Sequence, residues 1–168
     1  NTYNNFGKYF DRTNNIFFSF LAGQILDGII VGIITSIAMS ILGVKYSILL
    51  GFMIGIFNLI PYFGAIIGVV IAALVTLLTG GLWQALLMVI IVTILQQIDA
   101  NIINPKILGS SLKISPLLVI FAVSIGGAYF GFWGMFLSVP IIAVIKLLIT
   151  DYIEYKDKKK IIENGDSN

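Results

Sequence analysis

Gln96-Gln97-Ile98-Asp99-Ala100-Asn101-Ile102-Ile103-Asn104-Pro105-Lys106 closes an apolar run that begins at Leu82. Segments greasy enough to cross a bilayer seldom carry this much amide and carboxylate, because each such group in hydrocarbon costs several kcal/mol unless something pairs with it. The stretch reads as a membrane helix that ends in a solute pathway or in a tight internal junction.

Composition points the same way. With 58% hydrophobic and only 11% charged residues in a chain of 168, a water-soluble fold would lack the polar surface to cover its core. The charges are also clustered, at Lys8, Asp11 and Arg12, at Lys45, at Lys106 and Lys113, and from Asp151 to Asp166. The long uncharged stretches between them suit membrane spans. The chain has no cysteine and no histidine, which removes disulfides, thiolate nucleophiles, soft metal sites and the usual catalytic triads. No phosphate-cradling glycine loop occurs either. We expect a protein that is not an enzyme, with no cofactor and no metal.

Working outward, the apolar pattern predicts spans over about 16–43, 46–79, 82–104, 116–130 and 134–155. The second is too long for one regular helix and is interrupted by Asn58-Leu59-Ile60-Pro61-Tyr62-Phe63-Gly64, where proline removes a backbone donor and clashes with the preceding turn. Pro105 ends the third span, and Pro116 suits the first turn of the next helix. Gly126-Gly127, Gly131 and Gly134 mark the tip of a helical hairpin. The expected fold is all-α: a polytopic integral membrane bundle over 1–155 with a Pro-broken helix and a Gly-rich hairpin, followed by a basic tail over 156–168. The start at Asn1, without methionine, suggests a piece of a longer protein.

Lysine placement sets an expected orientation. If the tail is cytoplasmic and the helices from Pro116 form a hairpin, the Lys106–Lys113 loop is cytoplasmic and Gly80-Gly81 lies outside. The positive-inside bias favours a single broken crossing over 46–79, with Lys45 inside. Two short crossings split at Pro61 are the alternative, with Lys45 and the amino terminus exchanged. In the favoured arrangement Trp83 and Trp133 lie at the outer interface, and Tyr46, Tyr152 and Tyr155 at the inner one.

Asn58-Leu59-Ile60-Pro61-Tyr62-Phe63-Gly64, Gln96 to Asn101 leading to Asn104-Pro105-Lys106-Ile107-Leu108-Gly109, Pro116-Leu117-Leu118, and Gly131-Phe132-Trp133-Gly134 with Val139-Pro140 together resemble the autoinducer-2 exporter family of bacterial membrane proteins. The likeness runs from about Phe17 to Lys146 and corresponds to the second half of such a protein. It implies a multipass inner-membrane transporter with an outside amino terminus in this piece. Members are linked to export of a small signalling molecule, others to sodium/proton exchange.

At the residue level, Gln97, Asn101 and Asn104 fall at i, i+4 and i+7, which puts them on one face of an α-helix, with Gln96 and Asp99 flanking. The stripe can bind a hydroxyl-rich solute or a partly dehydrated cation. Equally, it can bond to neighbouring helices, contacts worth about 0.6 kcal/mol each. Asp27, one turn after Gln24, is a carboxylate inside the first span and marks a pathway or a packed hydrogen bond. Asn58 and Pro61 free backbone groups at membrane depth, as transport sites and simple kinks both do. The transport-pathway candidates are Asp27, Gln24, Asn58, Pro61, Gln96, Gln97, Asp99, Asn101, Asn104 and Pro105. Gly28/Gly32, Gly51/Gly55, Gly64/Gly68 and Gly127/Gly131 are read as helix packing.

The expected function is secondary transport or export of a small polar solute, with sodium/proton antiport or a non-transporting scaffold as alternatives. Expected partners are the lipid bilayer, the solute or Na+ and H+, and further copies in a homo-oligomer; nucleic acid is not expected. The patch at 96–106 is expected at the cytoplasmic end of its span, as a gate facing Asn58–Gly64, with Asp27 the deeper charge.

Overall fold

The computed structural model describes residues 2–108 and 114–165, and every element among them is helical. Gly109 and Lys113 of the expected loop, and the last residues of the expected tail, lie outside the described residues, as do the side chains of Tyr152 and Tyr155.

Helix α1 covers Thr2–Ile41. It ends in a Schellman turn: Gly43 has φ 68°, its N–H bonds Ser40 O at 3.0 Å, and the Val44 N–H bonds Met39 O at 3.0 Å. Both bonds satisfy carbonyls that the helix end would otherwise orphan. Helix α2, Ser47–Phe57, then runs back along α1. Their glycines make this close: a methyl on Gly28 would sit 2.7 Å from Gly55 O, and one on Gly32 3.3 Å from Gly51 O. Ser40 and Ser47 share a 2.7 Å hydroxyl contact at the turn.

The chain leaves helical geometry at 58–62. Tyr62 has φ 65°, the Phe63 N–H bonds Pro61 O at 2.8 Å, and α3 begins at Phe63. The favoured single broken crossing does not describe this region, because the chain reverses here instead of kinking. Gly64 is pressed against the Phe57 carbonyl and Gly68 against Ile54, so residue numbers rise on α3 as they fall on α2. A proline inside a helix costs one bond and bends it. Here several successive residues depart from the helix, and a positive φ completes the turn.

Helix α3, Phe63–Ile98, folds on itself at Gly81, whose φ 81° and ψ 176° are non-helical. Ala72 on its first arm shares a core with Met88 and Val92 on its second, against Val31, Met39 and Ile54. The Gln84 amide donates to Leu42 O at 3.0 Å. Lys45 is therefore at the same end of the bundle as Gly80-Gly81 and Trp83, not opposite them.

A five-residue π-turn, Asp99–Ile103, leads into the short helix α4, Asn104–Leu108. Helix α5, Pro116–Gly165, is capped by Ser115, whose hydroxyl accepts from the Leu118 N–H at 3.4 Å. It doubles back at Gly131 (φ 61°, ψ −143°). Gly126 and Gly134 touch backbone to backbone across this hairpin and Gly127 packs on Met135. Gly131 has nothing within 4 Å of a Cβ position; it is the bend, not a packing contact as expected. Helical structure also extends to Gly165 instead of giving way at Lys156, because 141–164 contains no glycine or proline to stop it.

A second core joins α5 to the rest through Phe20, Ile60, Val119, Val123 and Val139. Three stretches, Thr13–Ile41, Phe63–Leu108 and Pro116–Thr150, are long and apolar enough to cross a membrane. Leucines, isoleucines and phenylalanines cover the outside of the bundle, an arrangement suited to lipid and not to water.

Candidate functional site

Two irregular elements, 58–62 and 99–103, meet α1 near its middle. Gln24 and Asp27 are a turn apart on α1 and face inward, at 1% and 0% exposure. Asn58 arrives from the reversal after α2. Asp99 and Asn104 arrive from the π-turn, where the Asn104 N–H bonds Asp99 O.

That bond spans five residues, and its register decides the site. In a regular α-helix residues five apart point about 140° away from each other. The wider π-turn brings them to one side, so Asp99 and Asn104 both reach the α1 acids.

Asn58 is the hub. Its side-chain amide donates to Asp27 Oδ2 at 2.9 Å and to Asp99 Oδ2 at 3.2 Å. Its carbonyl accepts from Gln24 Nε2 at 2.9 Å, which satisfies a backbone group released by the break. Asn104 Nδ2 adds a 3.3 Å bond to Asp27 Oδ2. Asp27 Oδ1, Asp99 Oδ1 and Gln24 Oε1 are buried with no hydrogen-bond partner, against one such donor, Gln96 Nε2, on the adjoining cavity wall. Acceptors thus outnumber donors, and the cluster is equipped to receive a hydrogen-bond donor or a cation.

Beside the cluster opens a cavity of about 750 Å³, within the range of small-molecule sites. Gln24, Asn58, Pro61, Gln96, Gln97, Asp99, Asn104 and Pro105 line it. Asp27 sits behind Asn58 and Asn104. Asn101 is separated from the cluster: it is exposed, and its amide folds back on Gln97 O at 2.7 Å. The expected stripe of Gln97, Asn101 and Asn104 is therefore divided, because the π-turn shifts the helical phase between Asn101 and Asn104.

The depth also differs from expectation. Asp27 is equidistant from the ends of the apolar stretch Thr13–Ile41, and Asp99 is bridged to it by Asn58. The patch closes the apolar stretch Phe63–Leu108 yet is level with the middle of α1, and it does face the 58–64 break. Tyr62 and Thr93 also line the cavity and were missed. Thr93 lies one turn before Gln97, a spacing that could have revealed it.

The family model described as AI-2E family transporter matches residues 1–154. The chain belongs to the AI-2E transporter family. Among curated AI-2E-like relatives it is 38% identical over 82% of its length to "Putative transport protein YrrI" of Bacillus subtilis (strain 168), covering 38% of that protein. It is 32% identical over 94% of its length to "Putative transport protein YueF" of the same organism, covering 43%. It is 31% identical over 85% to "Putative permease PerM" of Escherichia coli (strain K12), covering 41%. The chain thus spans about two fifths of the length of these relatives. No solved structure matches it. Family and apolar helices together make this AI-2E chain part of a multipass bacterial membrane protein of the transporter class.

Proposed function

We propose that this chain carries the solute site of a secondary transporter that exports a small polar solute across the bacterial inner membrane, its carboxyl terminus cytoplasmic and its copies assembled as a homo-oligomer. The observation that carries the reading is the 750 Å³ cavity at mid-bundle, where Asn58 and Asp99 from the two places where helices break, 58–62 and 99–103, join Gln24, Gln96, Gln97 and Asn104 in a polar wall. Broken helices that expose backbone and side-chain polar groups at membrane depth are how transporters build midplane sites. The amides of Gln96, Gln97 and Asn104 offer both donors and acceptors to hydroxyl groups. Asp27 and Asp99, tied through Asn58, supply the charge that couples binding to movement of the breaks.

A second reading has its own support. The unpartnered oxygens of Asp27, Asp99 and Gln24 are hard-oxygen groups of the kind a dehydrated cation binds, which favours sodium/proton antiport through the same cluster. Flux into proteoliposomes containing the full-length protein separates these readings. We expect Asp27→Asn and Asp99→Asn to abolish flux while the protein elutes and melts as before. Sodium-independent flux of a neutral polyol would remove the antiport reading. Undiminished flux in both variants would remove the role of the two acids, and absence of flux in the unaltered protein would remove both readings in favour of a non-transporting scaffold.

A further inference from the structure

An apolar groove of about 490 Å³ runs along α2, and its lining shares no residue with that of the polar cavity. Its walls include Tyr46, Leu49, Phe52, Met53, Ile56 and Val75. Tyr46 alone among all its lining residues carries a polar side-chain atom. The groove is open, with Leu49 63% and Phe52 64% exposed. Its two ends differ. One is Tyr46, at the turn shared with Lys45 and close to the Gly80-Gly81 bend. The other is Phe57, next to Asn58 and so at the depth of Asp27, the middle of the apolar stretch of α1.

The length is informative. Eleven residues of α2 rise about 16 Å, close to half of the roughly 30 Å hydrocarbon thickness of a bilayer. The groove thus extends from one interface to the midplane, the depth of a single leaflet. At its mouth Lys45 is exposed, with Nζ 5.4 Å from the Tyr46 ring centroid, and Trp83 is 74% exposed at the same end. A cation and two aromatic rings at one level are what an interface collects.

We propose that this groove is a binding site for one anionic phospholipid, with an acyl chain lying along α2 and the headgroup phosphate on Lys45. An acyl chain matches a slot with nonpolar walls that is one leaflet deep. The lone lysine at the mouth selects the headgroup by charge. The proposal is independent of what the polar cavity transports.

The test uses the full-length protein in nanodiscs and native mass spectrometry, with phosphatidylglycerol and phosphatidylcholine of identical chains. Phosphatidylglycerol should bind about fivefold more tightly, the selectivity a single interfacial lysine supplies. Lys45→Gln should bring it to the phosphatidylcholine level and leave phosphatidylcholine unchanged. Val75→Phe, which fills the slot, should remove one retained lipid of either kind. The proposal is overturned if Lys45→Gln keeps the preference. It is equally overturned if no lipid is retained because the amino-terminal half or a second copy covers the groove, or if Val75→Phe leaves the lipid count unchanged in a protein that still melts cooperatively.

Discussion

Asn58→Ala tests the construction of the site most directly, because one amide serves two carboxylates. Hydrogen bonds to charged groups contribute about 1.5–3 kcal/mol each in water-soluble proteins. Interhelical polar contacts inside bilayers average only about 0.6 and reach about 1.7. The structure indicates which limit applies to each acid. Asp99 lines the cavity, so water can replace its 3.2 Å bond, and that contact belongs near the lower figure. Asp27 is fully buried behind Asn58, and its remaining donor, Asn104, is 3.3 Å away. Its 2.9 Å bond belongs near the upper one. We expect Asn58→Ala to cost about 2 kcal/mol in total. In double-mutant cycles the coupling should be about 1.5 kcal/mol with Asp27→Ala and about 0.5 with Asp99→Ala. Reversible unfolding of the full-length protein by sodium dodecyl sulfate in bicelles gives all the required free energies. Coupling to Asp99 equal to or above that to Asp27 would refute the reasoning, and so would two couplings indistinguishable from zero.

Deleting Ala100, an exposed residue of the π-turn, leaves Asp99 and Asn104 four apart, on one face of a regular α-helix. We expect the folded protein to survive with less than about 1 kcal/mol lost, and a loss above 3 kcal/mol would show that the π-turn does more than set register. Gly55→Leu drives a side chain into the Gly28 carbonyl, and should separate α1 from α2 and halve the yield of folded protein at least; normal thermal stability would contradict the close approach. Gly81→Ala meets no atom within 4 Å, so any cost is backbone strain alone, expected at about 1–3 kcal/mol. An alanine there that leaves the melting temperature unchanged would show that the bend can relax.

Much of the candidate site is legible in the sequence, because polar groups in an apolar chain are conspicuous. Gln24, Asp27, Asn58, Asp99 and Asn104 stand out by the cost of burying them, and all five meet in one cluster. Asn101 stands out equally and lies apart. Its spacing from Gln97 and Asn104 assumes 3.6 residues per turn throughout, and a five-residue π-turn breaks that assumption within the stretch. The bend at Pro61 was legible too, but not its angle. Proline fixes where a helix is interrupted, while the direction taken afterwards depends on the left-handed Tyr62 and on glycines that let α3 press against α2. The expected placement of Lys45 opposite Gly80-Gly81 failed for that reason, since it presumed a chain that continues forward.

By itself, the amino-acid sequence determined that this protein is a helical membrane bundle, and which polar residues could be afforded only in pairs. Composition and spacing are sufficient for that, because transfer into hydrocarbon penalises each unpaired group locally. Only the tertiary structure decided that the chain reverses at Pro61, that Lys45 shares an end with Gly80-Gly81, and that Asn58 bridges two acids at mid-bundle. The reversal rests on contacts such as that of Gly68 with Ile54, 14 positions apart, and the other two outcomes on bonds 31 to 42 positions apart, for which no local periodicity exists.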